Sequence, residues 1–441
     1  MMKARLVPVY FDPGRDEQFD VQLAALQESL QDVAEFLPPV ALGQPLPADA
    51  DAVLFPQILG EAYRQLAHFK AIDRPILIVT SEFGTMAMWD WEIASYMRAE
   101  GVDTITPYSL EQTRKVCRAL GVRRELAQTK FLAFQDNPGA GFQPEIFKRF
   151  YWWEDECTQR MFEKFGVTIE KRSFKALGAA AKAIPDEDAD AVLAQWDLNT
   201  PGVSPHSLRS AVKMYIALTR EIGDDERIGG VGINCLNESH FSDTTPCLAW
   251  NMFYTERRLI WGCEADTLSM LTKYILNRSL DVPIMMTNLY PFLMGMAALK
   301  HERIDHYPEV VHNPDDYILV AHCGYLGVLP QAFATEWALR PRVLRITDPN
   351  ATAIDALLPT GDVTLAKLAP TMNTITVAEG DLEGYAQFPN SDCLNGGVIR
   401  VSSGPRLMKR ASSHHYLLMT GHVQDDIDLI SGVFGLSVET I

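Results

Sequence analysis

Two acidic segments of this chain follow apolar runs of strand length. Glu264 and Asp266 stand in Cys-Glu-Ala-Asp after the run Leu-Ile-Trp-Gly, and Glu238 and His240 stand in Asn-Glu-Ser-His shortly after Ile-Gly-Gly-Val-Gly-Ile. Ligands of parallel sheets bind at the carboxyl ends of the strands. Carboxylates at such positions can transfer protons or bind a cation. Glu238 and Asp266 are therefore the first candidates, and Glu264 shares a face with Asp266 if the strand continues.

Histidines stand beside two further apolar runs. His322 ends the run Tyr-Ile-Leu-Val-Ala, while His414 and His415 open the run Tyr-Leu-Leu-Met-Thr, which His422 follows. An imidazole beside a folded core loses its hydration unless something binds it. Residues at odd spacing face opposite sides of a strand, so we expect His414 and His422 to point away from the pocket that His415 faces.

Together, Glu238, Asp266, His322 and His415 supply two carboxylates and two imidazoles. This mixture of oxygen and nitrogen donors suits a divalent cation such as Mn²⁺ better than a thiolate zinc site would. The four residues spread from position 238 to position 415 and contain no local metal motif such as His-Glu-x-x-His. The fold must therefore bring them together.

Ordinary structural roles compete with these assignments. Asp266 precedes Thr-Leu-Ser-Met and is suited to cap the N-terminus of a helix. Glu238 could be a solvated loop acid, and a single histidine is more often a structural residue than a ligand. The aromatic groups Tyr151-Trp-Trp and Trp89 with Trp91 could stack on a ligand ring, but burial as packing residues is the default for both.

The composition excludes some classes of partner. The chain has 441 residues, of which 47% are hydrophobic and 22% are charged, and its formal net charge is −18. Because affinity for nucleic acid comes largely from lysine and arginine that neutralise phosphates, we expect no nucleic-acid partner. A small molecule or another protein is the expected partner.

The sequence also predicts a cytoplasmic protein. Its seven cysteines are an odd number, are scattered and form no Cys-x-x-Cys pair, which is typical of reduced thiols. The N-terminus enters a strand-like run without the features of a signal peptide. No stretch of 18 residues is apolar and free of charge, so we expect no membrane span.

The pattern of apolar runs predicts an α/β fold class with three domains. Strand-length runs alternate with helix-length amphipathic stretches, as in sheets of parallel strands covered by helices. We expect two Rossmann-like or flavodoxin-like parallel-sheet domains, over residues 1–125 and 126–282, with the acidic candidates in the second. Residues 283–441 consist of short β-rich segments and predict an antiparallel, barrel-like C-terminal domain that carries the histidines.

Helix lengths follow from the same periodicity. The amphipathic stretches predict helices over residues 18–36, 152–165, 205–222 and 267–277. The glycines of Ile-Gly-Gly-Val-Gly-Ile lie within a predicted strand, where they fit no dinucleotide-binding fingerprint.

From about residue 228 to its end, the chain resembles the L-fucose and L-arabinose isomerases. The resemblance rests on Asp243-Thr-Thr-Pro-Cys-Leu-Ala-Trp with Cys-Glu-Ala-Asp266, on Leu-Val-Ala-His322-Cys-Gly, and on Ser-His-His415-Tyr-Leu-Leu-Met-Thr-Gly-His-Val. It implies that Asp266 is a metal-binding, proton-transferring aspartate and that His415 is a ligand. His322 would be a further ligand or would polarise a sugar hydroxyl.

The second catalytic carboxylate of that family does not fall on a glutamate by counting back from Asp266. Glu238 takes its place here, as catalytic residue and metal ligand, and Glu264 is the fallback. Glu264, His240 and His322 are the expected substrate-binding residues.

The resemblance implies a metal-dependent aldose–ketose isomerase that works through an enediolate. Its cofactor would be Mn²⁺ or another divalent cation, its substrate a small sugar, and its assembly a homo-oligomer. One alternative is a metal-dependent sugar or sugar-acid epimerase or lyase on the same scaffold. Another is a non-catalytic sugar-binding protein. This chain is shorter than either isomerase, so the identity of the sugar does not carry over.

Overall fold

A computed structural model describes all residues except 1, 12–13, 58–61, 137–144, 292–312, 388–390 and 392–393. The chain divides into two compact units. The first comprises Met1–Ala127, Ile275–Asp281 and Asp425–Val438, and the second comprises Gln128–Tyr274, Val282–Gln424 and Glu439–Ile441. All of the candidate residues belong to the second unit.

The first unit contains a parallel sheet. Its strands have the order β2-β1-β4-β5, and β3 also pairs with β1. The strands are β1 (Ala4–Tyr10), β2 (Ala34–Phe36), β3 (Val40–Ala41), β4 (Ala52–Phe55) and β5 (Ile76–Ile78). The helices are α1 (Glu17–Leu30), α2 (Leu66–Lys70), α3 (Asp90–Ala99) and α4 (Leu110–Leu126).

Helix α1 is shorter than the helix predicted over residues 18–36. Asp16 caps its start by accepting a hydrogen bond from the backbone N–H of Phe19 at 2.8 Å. Buried apolar residues recur with helical spacing from Phe19 to Leu30, and this spacing then stops. The following residues Ala34–Phe36 pair with β1 as a strand, because hydrogen bonds to an existing edge replace those of a further helical turn.

The second unit begins with another parallel sheet, in the order β7-β6-β8-β9. Its strands are β6 (Lys130–Phe134), β7 (Thr168–Arg172), β8 (Ile228–Ile233) and β9 (Ile260–Cys263). The accompanying helices are α5 (Phe147–Phe150), α6 (Asp155–Phe165), α7 (Phe174–Lys182), α8 (Asp186–Leu193), α9 (Pro205–Ile222), α10 (Cys247–Arg257) and α11 (Thr267–Leu280). The acidic candidates thus follow the carboxyl ends of β8 and β9.

Glycines in β8 and β9 allow α11 to start directly on the sheet. Gly232 and Gly262 are paired residues of the two strands. A Cβ atom on Gly262 would overlap the side chain of Met270, and one on Gly232 would lie 3.0 Å from the Cα atom of Ala265. These glycines therefore serve the close packing of strand and helix.

A closed antiparallel barrel of six strands follows in the second unit, in the order β14-β17-β10-β11-β16-β15, with β15 paired back to β14. The mixed α/β fold, with two parallel sheets and an antiparallel barrel, confirms the predicted fold class. The remaining elements are β10 (Ile284–Pro291), β11 (Tyr317–Ala321), β12 (Glu336–Pro341), β13 (Thr352–Leu357), β14 (Gly361–Leu368), β15 (Thr374–Ala386), β16 (Gly396–Val401), α12 (Gly404–Arg410), β17 (His415–Thr420), α13 (Gln424–Val433) and β18 (Ser437–Thr440).

The described residues bear on two expectations, that no segment spans a membrane and that the cysteines are reduced. In that part of the chain, no helix is both long and apolar enough to cross a bilayer. The six described cysteines are free thiols, and Cys393 lies outside the described residues.

Lys273 on α11 is an unusual core residue. Its side chain is fully buried, its Nζ has no hydrogen-bonding partner among the described residues, and this atom lies 2.7 Å from the centroid of the Trp261 ring. Burial lowers the pKa of Lys273 well below its ordinary value. An amine held in the core without a polar partner destabilises the fold.

We predict that Lys273→Met raises the free energy of unfolding by about 1–3 kcal/mol, because it removes this unpartnered amine and keeps the shape of the side chain. Denaturant unfolding followed by circular dichroism measures the change. Lys175→Met, at an exposed position of α7, is the control and should change it by less than about 0.5 kcal/mol. A Lys273→Met protein that unfolds more readily than wild type would show that the amine contributes to stability.

Candidate metal centre

Three buried side chains converge in the second unit. Glu264, His322 and His415 each present a ligand atom, and these atoms lie within 4.8 Å of one another. The three side chains come from β9, β11 and β17 or from the residues next to them. We refer to these three residues as the cluster. Among the described residues, neither Glu238 nor Asp266 belongs to it.

The barrel places the two histidines of the cluster. Strand β10 pairs with β17 on one side and with β11 on the other, so that Asn288 lies opposite both His415 and Ala321. His322 follows Ala321 directly, so both histidines lie at the same end of the barrel. Their ring centroids are 5.5 Å apart and the rings are almost perpendicular, at 87°.

A tight turn fixes His322 at the end of β11. The backbone N–H of His322 donates to the carbonyl of Tyr325 at 2.7 Å. Between them, Cys323 and Gly324 both have positive φ, 54° and 90°. Two consecutive residues of positive φ are typical of the type I′ hairpin turn. In this turn only the second of them is a glycine, which adopts positive φ without steric strain.

A second strained turn fixes Glu264 after β9. Glu264 and Ala265 both have a φ of 54°, which is rare for residues other than glycine. The indole N–H of Trp153 donates to the carbonyl of Ala265 at 2.9 Å and stabilises this conformation. Because the chain leaves the strand at Cys263, the expectation that Glu264 and Asp266 share a strand face does not apply.

Each histidine is oriented through its Nδ1 atom. His415 Nδ1 lies 2.9 Å from Asp266 Oδ2, and His322 Nδ1 lies 3.2 Å from Asn288 Oδ1. The Nε2 atoms of both rings are buried and have no hydrogen-bonding partner among the described residues. Metal-binding histidines are held in this way, with one ring nitrogen bound to a carboxylate or amide oxygen and the other facing the ion.

Asp266, predicted as a ligand and catalytic residue, is fully engaged by neighbouring donors. Its Oδ1 accepts from the backbone N–H of Ser269 at 2.7 Å, so Asp266 caps α11. Its Oδ2 accepts from Ser269 Oγ at 2.8 Å and from Lys367 Nζ at 3.0 Å, in addition to its contact with His415. The carboxylate thus holds His415 in place and lies behind the cluster.

Glu264 is the ionised carboxylate of the cluster. Lys367 and Asp266 are both fully buried and neutralise each other as an ion pair. Burial acts to raise the pKa of Glu264, but His415, whose Nε2 lies 3.7 Å from Glu264 Oε1, outweighs it through its charge and holds this pKa at about 2. A buried carboxylate of this kind needs a cation beside it.

The two cluster histidines differ in protonation. Burial, followed by the charge of His415, lowers the pKa of His322 to about 4, so this ring is neutral near pH 7, the form that binds metals. Burial also acts to lower the pKa of His415, but Asp266 and Glu264 outweigh it and raise this pKa above its ordinary value. The two carboxylates therefore favour a positive charge next to them.

Tyr151 contacts two members of the cluster. Its hydroxyl donates to Glu264 Oε2 at 2.7 Å, and its ring stacks on that of His415 with centroids 4.8 Å apart and an angle of 9°. Thr267, the first residue of α11, donates from its hydroxyl to the carbonyl of Tyr151 at 3.1 Å. The aromatic group at 151–153 is buried, as expected, but Tyr151 also orients the cluster. Trp89, by contrast, is 69% exposed, and its predicted burial is wrong.

His414 does not turn away from the cluster as predicted. Its ring centroid lies 4.4 Å from that of His415, and its Nε2 lies 3.4 Å from the hydroxyl of Tyr151. The alternation of a strand does not apply to it, because β17 begins one residue later, at His415. Burial, followed by the charge of His415, lowers the pKa of His414 to about 3.

Two other predicted site residues lie elsewhere on the second sheet. Glu238 is buried, and both of its carboxylate oxygens lie 3.0 Å from the backbone nitrogen of Asp136, which follows β6. It is therefore not a solvated loop acid. His240 is exposed, and its ring packs on that of Phe241 with centroids 4.2 Å apart.

His422 belongs to a second, exposed group of possible ligands, together with Asp362 and Asp381. Its Nε2 lies 3.2 Å from the carbonyl oxygen of Gly380, and Asp381 forms an ion pair with Arg400. Because His422 and Asp381 already have partners, and His422 and Asp362 are exposed, this group is a weaker candidate than the cluster.

Three residues that orient the cluster were not identified as such from the sequence: Tyr151, Asn288 and Lys367. Lys367 carried a signal, because a lysine within the apolar run Val-Thr-Leu-Ala-Lys-Leu needs a buried acid as partner. Asn288 and Tyr151 carried none, since their roles depend on strand pairing and on the turn at Glu264.

We predict that Tyr151→Phe weakens Mn²⁺ binding by about 10–100-fold, because Glu264 loses the hydrogen bond that orients its carboxylate. Isothermal titration calorimetry measures the affinity. Tyr215→Phe is a matched control, because the Tyr215 hydroxyl donates to Glu256 at 2.6 Å away from the cluster, and its affinity should equal that of wild type. Equal affinities for both variants would show that Tyr151 does not orient Glu264.

The chain was also compared with known proteins. No model of a protein family matches it, and no curated protein sequence matches it. The geometry and chemistry of the cluster are therefore what indicates a function for this protein.

Proposed function

We propose that this protein is a metal-dependent sugar isomerase that interconverts an aldose and a ketose through an enediolate. The observation that carries the proposal is the convergence of Glu264 with the unpartnered Nε2 atoms of His322 and His415 in a buried cluster. The cofactor is Mn²⁺ or another divalent cation, and the substrate is an open-chain sugar.

The donor set fits such a cation. One carboxylate and two imidazole nitrogens are ligands for divalent ions of the first transition series, and a bound cation would replace the proton of His415 as the positive charge beside Glu264. A bound cation would polarise the sugar's carbonyl and neighbouring hydroxyl oxygens and so stabilise the enediolate. The unpartnered Nε2 atoms mark the side on which the histidines would hold it.

Neighbouring residues orient the two histidines of the cluster. Asp266 accepts the Nδ1 proton of His415 and thereby leaves the Nε2 lone pair for the metal, and Asn288 does the same for His322. Lys367 keeps Asp266 ionised through their buried ion pair. We therefore assign Asp266 and Lys367 to positioning, in place of the proton-transfer role first given to Asp266.

Isomerisation also moves a proton between C1 and C2 of the sugar. Glu264 is the carboxylate of the cluster and is assigned to this transfer. Glu238 is the second acid of the proposal, because it follows β8, the strand that pairs with β9. Two carboxylates in different surroundings are what a proton shuttle between neighbouring carbons requires.

A second candidate follows from the position of Asp266. With this carboxylate bound by four donors, Glu264 is the only acid in the cluster. A carbon–carbon lyase that acts on a sugar or sugar acid needs only one base beside the metal, which takes a hydroxyl proton while the carbon–carbon bond breaks and its electron pair forms the enolate. An epimerase on the same scaffold would remove a carbon-bound proton and return one to the opposite face. The isomerase and the epimerase exchange a carbon-bound proton and differ in their products, whereas the lyase is recognised by its cleaved product.

We predict that the Mn²⁺-loaded protein exchanges a carbon-bound proton of its substrate for solvent deuterium. A panel of aldoses and ketoses in D₂O, followed by nuclear magnetic resonance, should show deuterium at C2 of an aldose or C1 of a ketose. His322→Ala and His415→Ala should reduce the exchange to the level of the metal-free protein, because each removes a ligand.

His206→Ala, at an exposed position of α9, is the control and should retain the exchange. A ketose formed from an aldose supports the isomerase, whereas an epimer or a cleaved product supports the second candidate. Binding of a sugar by the Mn²⁺-loaded protein with neither exchange nor a cleaved product across the panel would contradict both and favour a non-catalytic sugar-binding protein.

A further inference from the structure

Two buried amide side chains stand at the carboxyl edge of the second sheet with polar atoms that nothing satisfies. Asn234, the first residue after β8, is 0% exposed, and within the described part of the chain neither its Nδ2 nor its Oδ1 has a hydrogen-bonding partner. Gln135, the first residue after β6, is 7% exposed, and its Oε1 likewise has no partner there. We refer to these two side chains as the amide pair.

The backbone does not explain this arrangement. The backbone N–H of Asn234 donates to the carbonyl of Phe134 at 2.9 Å, and that of Gln135 donates to the carbonyl of Arg172 at 2.8 Å. The main chain is therefore satisfied, and only the side-chain amides are not. Buried amides without partners lose hydration and gain nothing in return, so such a group calls for a bound water or ligand that satisfies it.

The amide pair lies beside the cluster along this edge. Phe134 pairs with Ile233, and Ile233 pairs with Cys263, so Gln135, Asn234 and Glu264 each follow a paired position on three adjacent strands. Cys235, next to Asn234, lies close enough to Glu264 for the backbone of Glu264 to act on the pKa of its thiol. Along the chain, β7 is added on one side of β6, and β8 and β9 are added on the other side. Ligands of open α/β sheets bind at the point where the strand order changes side in this way.

The chemistry of the amide pair selects the kind of ligand. A sugar hydroxyl both donates and accepts, which matches the Nδ2 donor of Asn234 and the two amide oxygens. The pair itself is uncharged. Arg172, the last residue of β7 on this edge, has its guanidinium bound to Glu170 and Glu221. A phosphate group would need free cations at this position.

We propose that Asn234 and Gln135 form a subsite that binds the hydroxyl groups of an unphosphorylated sugar while its carbonyl end lies at the cluster. The assignment of the carbonyl end rests on the proposed function, but the recognition of hydroxyl groups does not. The amide pair thus determines specificity for the length and configuration of the sugar chain. Its enclosure suits a substrate that is shielded from water.

The test uses sugar alcohols, which carry hydroxyl groups but cannot react. Calorimetry measures the binding of xylitol, ribitol, L-arabinitol and galactitol to the Mn²⁺-loaded full-length protein. At least one of them should bind wild type. Asn234→Leu and Gln135→Leu should each weaken this binding about 10–100-fold, because the hydroxyl groups lose their partners, and the affinity for Mn²⁺ should stay within a factor of two.

Asn251→Leu is the control, because Asn251 is also buried with an unpartnered Nδ2 but lies on α10, and its affinity for the sugar alcohol should equal that of wild type. Asn234→Leu should also raise the melting temperature, since it removes an unpartnered buried amide. This rise shows that the variant is folded.

Three outcomes would overturn the proposal: no sugar alcohol binds wild type, the leucine variants bind it as tightly as wild type, or sugar phosphates bind more tightly than the corresponding sugars. Deuterium exchange separates this failure from that of the proposed function. Loss of sugar-alcohol binding in Asn234→Leu supports the subsite even if wild type shows no exchange.

Discussion

The hydrogen bond between Asp266 and His415 connects the two layers of the second unit. Asp266 stands where the parallel sheet passes into α11, and His415 is the first residue of barrel strand β17. Their contact of 2.9 Å is fully buried, so it is satisfied only when sheet and barrel are assembled together. Lys367 on barrel strand β14 contacts the same carboxylate and balances its charge. The cluster therefore depends on the packing of both layers.

Backbone strain is concentrated around the cluster. Seven described residues other than glycine have positive φ, and four of them, Trp152, Glu264, Ala265 and Cys323, adjoin Tyr151 or the cluster. Each such residue costs about 1–3 kcal/mol and persists only when its surroundings hold it. The unpartnered Nε2 atoms of both histidines add a further cost, which a bound cation would remove. Strain and unpartnered ring nitrogens together distinguish the cluster from the exposed group around His422.

Much of the framework could be predicted from the sequence, because local patterns determine it. Strands β8 and β9 and helix α9 follow from the spacing of apolar residues, and α9 spans the predicted residues 205–222. His322 and His415 could be chosen because each adjoins an apolar run. The N-cap of α11 could be predicted from Asp266 and the residues after it.

The composition of the cluster could not be predicted in the same way. Whether Glu264 or Asp266 belongs to the cluster depends on the positive φ of two consecutive residues, which no local sequence pattern predicts. Asn288 acquires its role from strand pairing across the barrel, and Tyr151 from its stacking on His415. Contacts between residues far apart in the sequence decide these roles, so the sequence alone indicated a neighbourhood and left the choice of ligands open.

We propose that two imidazole nitrogens and one carboxylate of the cluster hold a divalent cation. Pulsed electron paramagnetic resonance of the Mn²⁺-loaded protein measures this directly, because nitrogen ligands give hyperfine couplings that oxygen ligands do not. We expect couplings from two histidine nitrogens in wild type and from one in His322→Ala or His415→Ala. A Mn²⁺ signal without nitrogen coupling, or one that both substitutions leave unchanged, would contradict it.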